Sequence, residues 1–309
     1  MRIVVTGATS FIGRAIVGDL LEGRHQVFAA VRPDSAGRGE LEAIQEKRNG
    51  QLAVLPVDLS GCGDLDAHPA LEGHADLWLH LGWEGSGSAN RKNPEIQARN
   101  IGYALEALGA AGRLGCTRFL FSGSQAEYGI LDGVMREDSP CLPVSEYGKD
   151  KLEVCRRAGE RARELGITYL HARIFSVYGP GDHPWSLVSS CVDTFLKGRH
   201  MEFGDCTQQW NYLYIKDAAR AMTGLLLANS PSGVYNVAGN DTRPLRSFIE
   251  EIHRLCGGRG TFEYGKRPPN AEGVVSLNPD TGKLQRAVNF LPQISFEEGI
   301  REMIASCDF

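Results

Sequence analysis

Tyr147 and Lys151 stand four residues apart in Tyr147-Gly148-Lys149-Asp150-Lys151, at the start of a stretch whose apolar positions recur with helical period. That spacing puts both side chains on one helical face. A free phenol holds its proton to about pH 10, and an ammonium a few ångströms away favours the phenolate. The pair is therefore suited to giving and taking a proton near neutrality. A second telling spacing is Gly7-Ala8-Thr9-Ser10-Phe11-Ile12-Gly13, set between a β-branched run and an amphipathic one. Gly7 is expected to make a tight turn and Gly13 to let helix and strand pack closely. The free N–H groups and dipole of the helix start would then hold a pyrophosphate. Arg32 ends the next β-branched run, where a unit selecting the ribose 2′-hydroxyl carries an acid. A guanidinium there suits a 2′-phosphate, so the expected cofactor is NADP(H).

These groups need a scaffold, and the chain supplies an alternating one. Short apolar runs at 2–6, 26–31, 52–57, 77–81, 119–122 and 169–174 read as buried parallel strands. Amphipathic stretches lie between them, with Phe11, Ile12, Ala15, Ile16 and Leu20 sharing one face. The alternation predicts an α/β fold with a Rossmann-type, doubly wound parallel sheet. Near Tyr178 the rhythm breaks at a Pro/Gly segment. Residues 1–178 are expected to form the dinucleotide-binding domain, with a strand at 234–238 returning to it, and residues 179–309 mainly a smaller substrate lobe with a helix near 186–197. The Gly- and Ser-rich segments 85–93 and 130–145 follow strand ends that would face a ligand, which makes them candidate binding loops.

Composition narrows the function classes. With 309 residues, 42% hydrophobic and 23% charged, the chain is an ordinary globular one. Its mean hydropathy is −0.23, and no apolar stretch approaches a bilayer crossing. The net charge of −5 offers no basic footprint for nucleic acid or anionic lipid. The eight cysteines lie far apart without a CxxC pair, so free thiols are expected and no metal site. The opening MRIVVTGATS reads as strand and turn rather than a secretory leader, and the expected compartment is the cytoplasm.

The Gly7–Gly13 turn, with Ser10 at a position usually held by Gly, resembles that of the short-chain dehydrogenase/reductase superfamily in its extended, nucleotide-sugar epimerase/dehydratase branch. The resemblance continues through Ser122-Gly123-Ser124-Gln125-Ala126-Glu127-Tyr128-Gly129, the Tyr147/Lys151 pair, Arg173-Ile174-Phe175-Ser176-Val177-Tyr178-Gly179-Pro180-Gly181-Asp182, Trp210-Asn211-Tyr212-Leu213-Tyr214-Ile215-Lys216-Asp217, and Tyr235-Asn236-Val237. It implies a catalytic set of Ser124, Tyr147 and Lys151, with Lys151 also holding the nicotinamide ribose. It implies cofactor contacts from Asp58 and Leu59 at the adenine, from Leu81, Gly82 and Trp83 beside the ribose, and from Asn100, Ser122, Phe175 and Val177. Trp83, Ser124, Gln125, Ser176, Trp210 and Arg267 become candidate substrate contacts, although Trp210 and Ser176 replace the branch's diphosphate-holding Arg and Asn. Gln125 and Ala126 occupy the branch's dehydratase acid pair, and neither can move a proton. The wording most resembles the nucleotide-linked 4-keto-deoxysugar reductases, such as the CDP-abequose synthase group. The expected function is NADPH-dependent reduction of a nucleotide-linked 4-ketosugar; the alternatives are a 4-epimerase with tightly kept NAD and a non-catalytic NADP sensor. The branch also implies a homodimer through helices near 95–112 and 147–164.

Overall fold

The computed structural model describes residues 1–48, 50–87, 89–268 and 273–307. Its first half alternates strand and helix: β1 (Arg2–Thr6), α1 (Phe11–Glu22), β2 (Gln26–Val31), α2 (Arg38–Lys47), β3 (Leu52–Pro56), β4 (Leu77–His80), α3 (Pro94–Arg113), β5 (Arg118–Ser124), α4 (Glu146–Leu165) and β6 (Thr168–Ile174). The chain continues with β7 (Ser176–Tyr178), α5 (Leu187–Leu196), β8 (His200–Glu202), β9 (Gln209–Tyr214), α6 (Ile215–Leu227), β10 (Gly233–Val237) and β11 (Thr242–Pro244). It closes with α7 (Leu245–Leu255), β12 (Thr261–Glu263), α8 (Gly282–Val288) and α9 (Phe296–Ala305).

Seven parallel strands run in the order β10-β6-β5-β4-β1-β2-β3. Both faces are covered, which is why the strand sequences are continuously apolar. Ile3 and Val5 pack with Ile16, Leu20 and Met222 on one face, while Val4 packs with Phe28, Trp78, Leu108 and Phe119 on the other. The strand order reverses between β1 and β4, so a crevice opens at their carboxyl ends, Thr6 and His80.

Strand ends differ from expectation in informative ways. The third and fourth strands stop at Pro56 and His80, one residue short of 57 and 81. Leu81 still donates to Thr6 O at 3.2 Å, but the chain then turns away over Gly82. The fifth strand is longer than its apolar core, because the β6 ladder continues through Gly123 opposite Arg173 and Ser124 opposite Ile174. Ser124 therefore sits on a strand rather than a loop.

Beyond the large sheet the chain packs on an aromatic cluster. Tyr178, Tyr212, Tyr214, Phe248 and Phe296 meet at centroid separations between 4.7 and 5.7 Å. Two small sheets, β11-β9-β7 and β12-β8, support it. All eight cysteines are free. Among the described residues no helix is long and apolar enough to cross a membrane. Ser88 of the 85–93 loop, and Pro269 and Asn270 of the stretch around Arg267, lie outside the described residues.

Candidate active site

A cleft of about 1080 Å³ opens along the carboxyl edge of the sheet. At one end lies the glycine turn. Gly7 takes φ +69°, and a Cβ there would stand 2.8 Å from Gly82 N. A Cβ on Gly13 would stand 2.3 Å from Gly7 O, so both positions require glycine. Ser10 has φ −67° and ψ 164°, an extended conformation open to any residue. Its Oγ accepts from Gly13 N at 3.0 Å and caps α1. Phe11 and Ile12, whose N–H groups have no intrahelical acceptor, lie on the cleft wall. Thr9 Oγ1 accepts from Ser35 Oγ at 2.8 Å, which draws the loop after β2 to the turn. Arg32 stands exposed on this wall, which Arg14 also lines.

At the other end β5, α4 and the loop after β4 converge. Ser124 Oγ accepts from Ala126 N at 3.2 Å, leaving its own proton free for a ligand. Lys151 is buried and donates from Nζ to Ser122 O at 2.6 Å. Its Nζ lies 4.0 Å from the Trp83 ring, 4.7 Å from Phe121 and 5.6 Å from Tyr147. Burial lowers the Lys151 pKa to about 7; Glu127 pulls it up and Arg91 pushes it down. Trp83 is fixed by its Nε1 donating to Gln97 Oε1 at 2.8 Å, and meets Tyr147 edge to face. His80, buried against Thr6 Oγ1 at 3.0 Å, is held neutral, with burial and then Lys151 lowering its pKa to about 3.

The sequence singled out most of this wall. The residues of the turn from Thr9 to Ile12, with Gly7, Arg32, Leu59, Leu81, Gly82, Trp83, Ser122, Ser124, Gln125, Tyr147, Lys151, Phe175 and Ser176, all line the cleft. Gly13 packs behind the turn. Asp58 flanks the wall between Val57 and Leu59 with its side chain exposed. Asn100 is buried behind the wall, where its Oδ1 accepts from Glu84 N and its Nδ2 donates to Glu84 O. Val177 packs against two of the buried apolar clusters. Trp210 and Arg267 do not line the cleft: Trp210 packs on Tyr212 and Phe175's cluster, and Arg267 is exposed, with its N–H on Phe203 O.

Arg91 is the main residue that motif matching missed. Its guanidinium lies 4.2 Å over the Tyr147 ring, and its carbonyl accepts from Tyr147 N at 3.0 Å. The available signal was the Gly- and Ser-rich composition of its loop. Arg14, Arg32, Arg91 and Arg99 put four guanidinium groups on the described wall, with Lys151 behind them, against one lining carboxylate, Glu84; Arg14 also pairs with Glu40 at 3.4 Å. In a chain of net charge −5, that concentration suits a polyphosphate ligand. A nicotinamide dinucleotide fits the donor set: free helix-start N–H groups for its pyrophosphate, and Lys151 within the reacting end for its ribose.

The model of the NAD dependent epimerase/dehydratase family matches residues 3–238. The chain belongs to this family. It is 26% identical over 323 residues to a Bacillus subtilis protein described as the uncharacterized UDP-glucose epimerase YtcB, covering 99% of this chain and 97% of that one. It is 25% identical to the dTDP-glucose 4,6-dehydratase of Streptomyces niveus over 98% of this chain and 92% of the relative. Among solved structures, MoeE5 in complex with UDP-glucuronic acid and NAD superposes with a TM-score of 0.82 at 26% identity, covering 99% of this chain and 98% of MoeE5. The fold is thus the Rossmann-like one of these enzymes, and the protein is an enzyme of the epimerase/dehydratase family.

Proposed function

We propose that this family member is an NADPH-dependent reductase of the 4-keto group of a nucleotide-activated hexulose. The observation that carries the proposal is Arg32, a cation on the cleft wall at the end of β2, where an acid would select the ribose 2′-hydroxyl. Gln125 adds to it, because the wall beside Ser124 holds an amide where a dehydratase needs an acid or base. When bound, the nicotinamide supplies a hydride to the sugar carbon. Tyr147 then gives its phenolic proton to the alkoxide that develops, and the free Ser124 proton steadies that oxygen. Lys151, held on Ser122 O with Nζ 5.6 Å from the Tyr147 ring, orients the ribose beside the phenol. The four cleft arginines, Arg14, Arg32, Arg91 and Arg99, take the phosphates of cofactor and substrate, with Arg91 nearest the reacting tyrosine. We further propose self-association through α3 and α4, which gel filtration with light scattering tests.

The competing function is a nucleotide-sugar 4-epimerase, favoured by relatives described as epimerases and by the NAD and UDP-sugar bound to MoeE5. Purified protein is expected to carry little bound nucleotide and to oxidise NADPH stoichiometrically when given a nucleotide-linked 4-ketosugar. Stoichiometric bound NAD+ with C4 inversion of a UDP-sugar and no net NADPH oxidation would overturn the reductase and establish the epimerase.

A further inference from the structure

Behind the cleft wall lies a charged cluster that none of the roles above uses. Glu127 is fully buried, and its Oε1 accepts from Ser124 N at 2.8 Å and from His171 Nε2 at 2.9 Å. Its Oε2 accepts from Arg173 Nε at 2.8 Å. His171 Nδ1 lies 2.9 Å from Tyr169 Oη. Burial alone would raise the Glu127 pKa, but His171 and then Arg173 bring it down to about 2. The same contact overcomes burial at His171 and raises its pKa to about 9. At neutral pH the cluster therefore holds one negative and two positive charges. Cys155 completes a trio with Glu127 and His171 close enough to grip an ion, yet Arg173 already fills the carboxylate.

Buried ion clusters are a weak source of stability, because desolvation offsets most of the attraction. What the cluster touches is more telling. A Cβ on Gly123 would stand 2.3 Å from His171 Nε2 and 2.7 Å from Glu127 Oε1, so the ions lie directly against the backbone between Ser122 and Ser124. Lys151 grips Ser122 O from the cleft side, and Glu127 grips Ser124 N from the core side. Among the described residues Lys151 has no carboxylate at ion-pair distance, and Glu127 is the negative group acting on it. Arg91 faces Lys151 from the loop after β4, and neutral His80 faces it from β4. Around Glu127 the other titratable groups are Tyr169 from β6, Cys155 from α4 and Cys141 from the segment after β5.

We infer that Glu127, braced by His171 and Arg173, is a positioning residue: it fixes the Ser124 backbone and supplies the negative charge that favours the ammonium form of Lys151. The inference rests on the proposed role of Lys151, but its test reads the Lys151 proton directly in the cofactor-free protein. Protein labelled with ¹³C-lysine is titrated, the Lys151 Cε resonance being assigned by its loss in Lys151→Met. Glu127→Gln is expected to move the Lys151 midpoint down by up to roughly one pH unit, less than the lost carboxylate alone would give because His171, no longer held by Glu127, also gives up its proton. His171→Gln removes a positive charge and is expected to move it up, while Glu127→Asp stays near the parent. Opposed shifts are a signature that a purely structural role does not produce. Unmoved midpoints in folded variants, or shifts of the same sign, overturn the inference. Should Glu127→Gln fail to fold, His171→Gln decides, and an unmoved or lowered midpoint overturns it. Loss of reductase activity on every ketosugar tried would instead strike the proposed function and leave this titration intact.

Discussion

The two ends of the cleft are built on opposite electrostatic plans. At the glycine turn the groups on the wall are the half-buried Phe11 and Ile12, with their helix-start N–H groups, and the exposed Arg32. At the tyrosine end Lys151 is buried among Trp83, Phe121 and Tyr147, and burial, opposed by Glu127 and aided by Arg91, brings its pKa to about 7. A charge in water is screened and contributes modest selectivity, whereas the same charge in a dry site acts strongly and titrates easily. The first end is therefore suited to holding, and the second to moving a proton.

Substitutions can break this contrast, the most damaging at the dry end. Tyr147→Phe keeps the ring under Arg91 but removes the proton donor. Turnover is expected to fall ~10²–10⁴-fold with NADPH binding retained, as measured by steady-state kinetics and cofactor fluorescence. Unchanged turnover would mean that another group supplies the proton. Lys151→Met should lower turnover and also weaken NADPH binding, because one ammonium serves phenol and ribose together. The sign of its pH dependence follows from the lowered pKa: the charge is present below about 7 and lost above it. NADPH affinity should thus fall as pH rises through neutrality in the parent and lose that step in Lys151→Met.

At the wet end the effects are smaller and salt-sensitive. Arg32→Asp should reverse or abolish the NADPH preference, a change of roughly 1.5–3 kcal/mol for a charge-assisted contact, reduced by exposure. The parent's preference should shrink with added salt. Equal binding of NADPH and NADH by parent and variant would remove Arg32 from the site. The smallest effect is expected at Ser10. Ser10→Gly should cost a few tenths of a kcal/mol, and Ser10→Ala about 1 kcal/mol through the lost cap, by thermal unfolding. A large loss of cofactor binding in Ser10→Gly would show that its hydroxyl also grips the pyrophosphate.

Short-range patterns determined much of this protein. Strand-to-helix alternation, the glycines at 7 and 13, Arg32 at a strand end, and the four-residue step from Tyr147 to Lys151 are all legible locally, because each depends on neighbours within a few residues. Apolarity marked the strands but not their full length: the ladder carries β5 on to polar Ser124, and backbone pairing is blind to side-chain polarity. The motif match to Trp210 and Arg267 does not put them on the wall, since their placing depends on how the aromatic cluster packs. Only the tertiary structure brought Arg91 onto the Tyr147 ring, removed Lys151 from water, and joined Glu127 to His171 and Arg173 across 44 and 46 residues of chain. Which residues can carry a proton is written in the sequence, because it is a property of side-chain type. Where that proton rests at neutral pH is not, because burial and distant charges set it, and both exist only once the sheet and its flanking helices have closed.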